Sequence, residues 1–267
     1  MGLIPLQLIV FGILAAMANI LGGLIVVPGR FRSNYRSSLK YLLALGAGFM
    51  LAVTFFEVIP KTIVIWQTSG ASSVDNLSIP MALLLVGYLL TQFFEHTIAP
   101  HFHLGEELHA ESSLSASSAY TGIGGLLIHT FFDGVSIAAA SYVDVGVGFL
   151  VFIAVFLHKF PEGFTVGSML VAAGKGTREI VIATSVIGAA TLLGVMLFAL
   201  VGSRIDSSVA YALPIASGVT LYVAASDLIP EVNHHGGKKP LVSLSVFAGV
   251  ALFFVIHVLL HELLGMS

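Results

Sequence analysis

The sequence contains no cysteine, so neither a disulfide framework nor a thiolate metal site is available to the protein. Charge is scarce as well, because charged residues make up only 9% of the chain, whereas an average soluble domain carries about 25%. A basic tract is also lacking, and a net charge of -3 gives no reason to expect a nucleic-acid partner. The lack of cysteine excludes disulfides and thiolate metal ligands, and we expect no nucleic-acid partner.

Apolar residues dominate the composition. They form 57% of the 267 residues, and this length suits roughly eight membrane spans with short loops. We therefore predict an all-α integral membrane protein with eight transmembrane helices in one domain over residues 1–267. The first span lacks a basic leading segment and is too long for a signal peptide, so we expect it to be retained. The predicted spans are about 3–27, 41–60, 79–98, 120–142, 147–173, 179–201, 210–230 and 241–264.

The loop lysines and arginines predict the orientation of the chain. They concentrate in the loops after spans 1, 5 and 7, whereas the intervening loops hold only Lys61 and Arg204. Because basic loops stay in the cytoplasm, both termini are expected on the extracytoplasmic side of a cell (inner) membrane. The basic residues on the predicted cytoplasmic side are Arg30, Arg32, Arg36, Lys40, Lys175, Arg178, Lys238 and Lys239.

An internal repeat connects spans 2 and 7. A glycine, a carboxylate and a proline recur in register, each 170 positions later, as Gly48 and Gly218, Glu57 and Asp227, and Pro60 and Pro230. Spans 2 and 7 cross the membrane in opposite directions, which is the pattern of an inverted-topology repeat in transporters. We predict a 3+2+3 arrangement, with spans 1–3 and 6–8 as the repeats around central spans 4 and 5.

The central spans carry the most informative residues. His129 and Asp133 on span 4, and His158 and Glu162 on span 5, are each four positions apart and so share one helix face. Both pairs fall near the predicted bilayer midplane, where ionisable groups are costly without partners. Imidazoles with carboxylates favour a divalent transition metal over magnesium or calcium, and Met50 on span 2 is a candidate soft ligand. The sequence therefore predicts a metal site of His129, Asp133, His158, Glu162 and Met50.

Three alternatives remain open on the residues alone. The four central residues also fit buried ion pairs that hold no metal. An intramembrane zinc hydrolase would use similar ligands, although the chain has no HExxH motif and His257-Val-Leu-Leu-His261 lacks its glutamate. A proton-coupled carrier of an organic solute would use Asp133 and Glu162 as proton relays.

The motifs His129-Thr-Phe-Phe-Asp133-Gly134 and His158-Lys-Phe-Pro-Glu162-Gly163 resemble the two central motifs of the ZIP (Zrt/Irt-like) metal transporters. The segments around Glu57 and Asp227 are also similar to that family, so the resemblance covers the whole chain. It implies that the four central residues bind the transported metal, with Met50 a further candidate. It further implies a transporter, not an enzyme, that moves divalent metal into the cytoplasm by alternating access. The expected cargo is zinc first, then iron, manganese, cadmium or cobalt, with membrane lipid as a partner, no separate cofactor, and a homodimer left open.

Two residues depart from relatives that hold two metals side by side. Those relatives use an amide or a carboxylate directly after each central histidine, where this chain has Thr130 and Lys159. A lysine ammonium there would repel a second cation and pair with Glu162 or Asp133 when the site is empty. We therefore predict that Lys159 and Thr130 block a second site and that the centre holds one metal; a purely structural Lys159 is the alternative.

Polar residues near the ends of the spans are candidates for a metal pathway. Glu57 lies near the outer end of span 2 and is expected to attract cations, with plain solvation of the helix end as the alternative reading. Loop 99–119 combines histidines and acids without regular spacing, so it is only a weak candidate for collecting metal. The candidates at the inner end are Glu95, His96, Asp227, Glu231, His234 and His235.

Overall fold

The computed structural model describes residues 6–27, 32–68, 75–97, 116–202, 208–236 and 240–264. All regular secondary structure in these ranges is helical, and eight helices are long and apolar enough to cross a membrane. The predicted fold class is therefore confirmed. The spans are Leu6–Ile25, Arg32–Val53 continued by Thr54–Val58 and Ile59–Thr68, Asp75–Thr97, Ala116–Val143, Val145–Ala172, Thr177–Gly202, Ser208–Tyr222 continued by Val223–Leu228 and Ile229–Gly236, and Pro240–Leu264.

Spans 4 and 5 form a tight helical hairpin. Only Asp144 separates them, and its carboxylate Oδ1 accepts hydrogen bonds from the backbone N–H groups of Gly146 (2.8 Å) and Val147 (3.1 Å). This N-cap satisfies donors that the start of span 5 would otherwise leave unpaired. Because the connection is so short, the middles of the two helices lie side by side. The hairpin thereby brings the two His/acid motifs to the same depth.

The inverted repeat is visible in how the helices pack. At eight glycines a Cβ atom would overlap a backbone carbonyl oxygen of the facing helix, so glycine is what permits these close approaches. Each contact is reciprocal: two glycines, one on each helix, face each other's backbones. The four helix pairs are spans 2 and 8 (Gly48, Gly249), spans 7 and 3 (Gly218, Gly87), spans 5 and 1 (Gly163, Gly22) and spans 4 and 6 (Gly134, Gly194). The inverted repeat relates span 1 to span 6, span 2 to span 7, span 3 to span 8 and span 4 to span 5. The contact between spans 2 and 8 therefore matches that between spans 7 and 3, and the contact between spans 5 and 1 matches that between spans 4 and 6.

Spans 2 and 7 each contain a π-helical turn at the matched position, Thr54–Val58 and Val223–Leu228. In each turn the residue before the proline bonds back five positions, Ile59 N–H to the Thr54 carbonyl and Ile229 N–H to the Ala224 carbonyl. Proline cannot continue an ordinary α-helical ladder, because it lacks an N–H and its ring clashes with the carbonyl four residues earlier. The wider turn accommodates Pro60 and Pro230, and such turns are frequent at functional sites.

Span 2 extends beyond its expected end at position 60. The helix continues through Ile59–Thr68, because the π-helical turn absorbs the proline that was expected to end it. Its last turns are held against span 7, where Trp66 Nε1 donates to the Ala210 carbonyl at 2.9 Å. The predicted loop 99–119 lies almost entirely outside the described residues, which resume at Ala116.

Candidate metal centre

The four central residues converge between spans 4 and 5, and each is buried. His129 Nε2 lies 3.2 Å from Glu162 Oε2, and His158 Nε2 lies 3.1 Å from Asp133 Oδ2. Each imidazole therefore faces the carboxylate of the other span. One ligand atom each from His129, Asp133 and Glu162 lies within 4.8 Å of the other two. Zinc bonds to nitrogen and oxygen at about 2.0–2.2 Å, so small side-chain movements would let these atoms share one ion.

His158 is oriented by its own helix. Its Nδ1 is 3.0 Å from the Ala154 carbonyl, an oxygen that can only accept, so Nδ1 carries the proton. In the neutral ring Nε2 then presents a lone pair toward the Asp133 carboxylate. Two acceptors 3.1 Å apart need a proton or a metal ion between them. A backbone carbonyl that fixes the tautomer in this way is the usual support for a metal-ligating histidine.

Lys159 occupies the space between the two carboxylates. Its side chain is completely buried, and Nζ lies 2.8 Å from Asp133 Oδ2 and 2.6 Å from Glu162 Oε2. Nζ is also 3.2 Å from Thr130 Oγ1, and the Thr130 hydroxyl lies 3.2 Å from Glu162 Oε1. Lys159 and Thr130, the residues after the two histidines, thus converge on the acids. A buried ammonium of this kind is stable only because it is paired with both carboxylates.

One residue of the centre was not anticipated from the sequence. Asn19, in the middle of span 1, is completely buried and its Nδ2 donates to Glu162 Oε1 at 2.7 Å. The available signal was an amide in the middle of an apolar 20-residue helix, whose other amide, Gln7, lies at its start. Met50, by contrast, is fully buried in the core shared by spans 2, 4 and 5, and its role as a ligand stays a prediction.

The candidate pathway residues divide into two groups. Glu57 is buried in the π-helical turn of span 2, where its Oε1 is 2.6 Å from His257 Nδ1 on span 8. On the other side of the centre, Glu95 Oε1 lies 3.7 Å from His129 Nδ1, and the Glu95 carboxylate also faces Tyr222 and Asp227. The structure therefore brings Glu95 and Asp227 together beside His129.

The remaining candidates are His96 and three residues of the helix Ile229–Gly236. His96 is exposed, and its Nδ1 is 3.0 Å from the Gln92 carbonyl one turn back on the same helix. Glu231, His234 and His235 lie on the helix Ile229–Gly236, and their side chains are outside the described part of the structure. Their predicted roles are therefore not tested.

The fold and the site together define a multi-pass membrane protein with a buried His/acid cluster suited to a divalent metal. A sequence model of the family described as ZIP zinc transporter matches residues 105–257, more than half of the chain. The chain belongs to this family, as its motifs predicted.

Individual relatives agree with this assignment. Zinc transporter ZIP9 of Xenopus tropicalis is 30% identical over 168 residues, which cover 60% of this chain and 55% of the relative. Zinc transporter foi of Drosophila melanogaster is 26% identical, covering 56% of this chain and 21% of its own length. Zinc transporter ZIP10 of Homo sapiens is 28% identical, and the match covers 58% of this chain and 20% of the relative. The chain thus spans little more than half of ZIP9 and about a fifth of the other two.

Proposed function

We propose that the protein moves divalent transition-metal ions, zinc first and then iron, manganese, cadmium or cobalt, across a membrane by alternating access. The observation that carries this proposal is the convergence of two buried His/acid pairs within an eight-span bundle. The names of the relatives, all zinc transporters, support the choice of zinc. The metal is the cargo, and the mechanism requires no resident cofactor.

Each central side chain has a role in this proposal. His129, Asp133, His158 and Glu162 supply two imidazoles and two carboxylates, a ligand set that zinc, iron and manganese accept. Two carboxylates balance the charge of one divalent ion, which lowers the cost of holding it in a low dielectric. Met50 would add a thioether from span 2, outside the central hairpin.

Lys159 supports the single-ion form of the proposal. Its ammonium lies where a second ion would need the same carboxylate oxygens. Two unit charges 4 Å apart interact by about 4 kcal/mol at an effective dielectric of 20, so a divalent ion that close to the ammonium is opposed by roughly 8 kcal/mol. The first metal would displace the ammonium from at least one carboxylate, and the ammonium would then disfavour a second, while Thr130 offers only a neutral hydroxyl where a second ion would need an amide or a carboxylate.

The ends of the path follow from the orientation predicted by the loop charges. With both termini extracytoplasmic in a cell membrane, Glu57 lies at the outer side and attracts cations. Metal that leaves His129 meets Glu95 and Asp227 next, and the residues farther along toward the cytoplasm are His96, Glu231, His234 and His235. Movement toward the cytoplasm is part of the proposal because the family resemblance implies it.

The hydrolase interpretation has no support of its own. The relatives are named as transporters, and His257 is paired with Glu57 on a different pair of spans from the central acids. A hydrolase would also need an open coordination position for water, which here is contested by Lys159. We therefore propose that the protein is not an enzyme.

The test is uptake of zinc, manganese, iron and cadmium into liposomes that contain only the purified protein. Wild type is compared with His158→Ala and Glu162→Ala, and His261→Ala serves as a matched control because that histidine is exposed on span 8. Uptake that both central variants lose and His261→Ala keeps is the expected result. Metal bound at the centre without uptake of any ion would overturn the proposal in favour of a hydrolase.

A further inference from the structure

Asn19 touches the candidate metal centre from outside the central hairpin. We infer that Asn19 is a positioning residue that holds Glu162 with one chosen oxygen toward the metal, an inference that rests on the proposed function. The amide Nδ2 donates to Glu162 Oε1 at 2.7 Å, across 143 positions of sequence. The Asn19 side chain is completely buried, so neither group exchanges this bond for one with bulk water.

The backbone at Asn19 is packed closely against span 5. A Cβ atom at Gly163, the residue after Glu162, would overlap the Asn19 carbonyl oxygen, and one at Gly22 would overlap the Phe160 carbonyl oxygen. Spans 1 and 5 are therefore in backbone contact at this level. The short asparagine side chain starts from a fixed point beside Glu162, which is what a positioning group requires.

The two carboxylate oxygens of Glu162 have different hydrogen-bond partners. Oε1 accepts from Asn19 and lies 3.2 Å from the Thr130 hydroxyl, whereas Oε2 faces His129 Nε2 and the Lys159 ammonium. Oε2 is thus the oxygen presented to an ion that replaces the ammonium. Asn19 favours one-oxygen coordination by Glu162, because binding through both oxygens would break the Asn19 bond.

The equivalent contact, between spans 4 and 6, has no such hydrogen bond among the described residues. There Gly134, the residue after Asp133, packs against the carbonyl oxygen of Thr191 on span 6. Thr191 Oγ1 and Asp133 Oδ1 are both buried and have no hydrogen-bond partner among the described residues. An apolar residue would pack at position 19 without the cost of burying an amide, so the amide is explained by its bond to Glu162.

Two substitutions of similar size test the role of Asn19: one removes its hydrogen bond to Glu162, and the other adds a charge. Asn19→Leu removes the donor and lets Glu162 rotate, so the dissociation constant for zinc should rise about tenfold, the lower end for lost partners of metal ligands. Asn19→Asp places a third carboxylate beside Glu162, so zinc should bind more tightly and leave more slowly. Its KM and Vmax for uptake should both fall. Asn19→Leu therefore tests the hydrogen bond, whereas Asn19→Asp, whose carboxylate also lacks the donor, shows what added charge does at the same place.

The experiment measures zinc binding to the purified full-length protein against a chromophoric chelator, and zinc uptake by the same proteins in liposomes. Thr191→Val is the matched control, since it removes a buried polar group at the equivalent crossing and should leave the dissociation constant unchanged. If Asn19→Leu does not fold, Asn19→Ala takes its place. A dissociation constant that rises about tenfold in Asn19→Leu and stays unchanged in Thr191→Val is expected; a wild-type value in Asn19→Leu, or an equal rise in both variants, would overturn the inference. Failure of the proposed function is separate, because it would show as wild type that takes up no metal ion, whether or not zinc binds at the centre.

Discussion

The two repeats of the molecule match in packing and differ in chemistry. Spans 2 and 8 cross at reciprocal glycines, as do spans 7 and 3, and the matched turns of spans 2 and 7 are both π-helical. At the same place in those turns, however, Glu57 pairs with a histidine, His257, whereas Asp227 faces a second carboxylate, Glu95. The two repeats therefore share their helix packing but differ in the charged groups that face each other at these turns.

This difference gives the two sides of the centre different tasks. On the Glu57 side a narrow cavity between spans 2, 4, 5 and 7 has almost entirely apolar walls, among them Val53, Val58, Val151, Val155 and Leu213. On the Asp227 side, Glu95 reaches to 3.7 Å from His129 Nδ1. An ion released from the centre therefore finds carboxylates directly on one side and apolar side chains on the other. We expect substitutions that test packing to act equally in the two repeats and substitutions that test charge to act unequally.

The largest effects should come from the glycine crossings. Gly48→Ala and Gly218→Ala each place a methyl group onto a facing carbonyl oxygen, of Val246 and Leu84 respectively. Each should destabilise the fold by about 3 kcal/mol, the upper end for over-packed cores. Gly124→Ala meets nothing within 4 Å and is the control. Thermal unfolding in detergent measures the three variants, and a large loss in only one repeat would break the packing equivalence.

The next effect concerns the residues after the two histidines. Lys159→Met keeps the length of the side chain and removes the charge that neutralises Asp133 and Glu162. Because His129 and His158 still face the two carboxylates, we expect a loss at the low end for a broken buried ion pair, about 3 kcal/mol. The zinc-free protein should therefore melt earlier, and zinc should restore its stability.

Its zinc affinity should also rise, and a second equivalent of metal should bind. Thr130→Val, the change at the matched position, should do neither. Calorimetric titration measures affinity and stoichiometry together. A Lys159→Met protein that binds one metal with wild-type affinity would show that Lys159 is only structural.

The carboxylates in the two π-helical turns should differ in their effect on transport. Asp227→Asn weakens the acidic pair beside His129, so the uptake rate should fall about tenfold, as for other residues that support a metal site. Glu57→Gln removes a carboxylate already occupied by His257 and should reduce uptake less. Zinc uptake into liposomes at saturating and limiting zinc compares them. Equal losses would mean that the chemical difference between the repeats has no functional weight.

The smallest effect is expected at His257. His257→Phe removes the partner of Glu57 and keeps a ring beside Phe253, against which the imidazole stacks at 5.6 Å. The imidazole is 42% exposed, and partly exposed pairs contribute little, so uptake at limiting zinc should rise only about twofold. A strong loss of uptake would show instead that the pair forms part of the path.

Local patterns predicted the spans, the repeat and the four candidate ligands, whose role in binding metal stays a prediction. Hydropathy shows the spans, and a four-residue spacing places His129 with Asp133 and His158 with Glu162 on helix faces whatever the tertiary structure. Partners far apart in sequence were not predictable. Asn19 meets Glu162 and His257 meets Glu57 only after helix packing. The extension of span 2 was missed because a proline normally ends a helix, and the π-helical turn before Pro60 has no sequence signature of its own.

The most direct test of the central claim is zinc K-edge X-ray absorption of the purified wild-type protein, with the bound zinc counted in the same sample. We expect one zinc per chain, with nitrogen and oxygen ligands at about 2.0–2.2 Å and scattering from two imidazoles. That signal should be lost in His158→Ala. A zinc shell without imidazole, or two zinc ions per chain in the presence of Lys159, would contradict it.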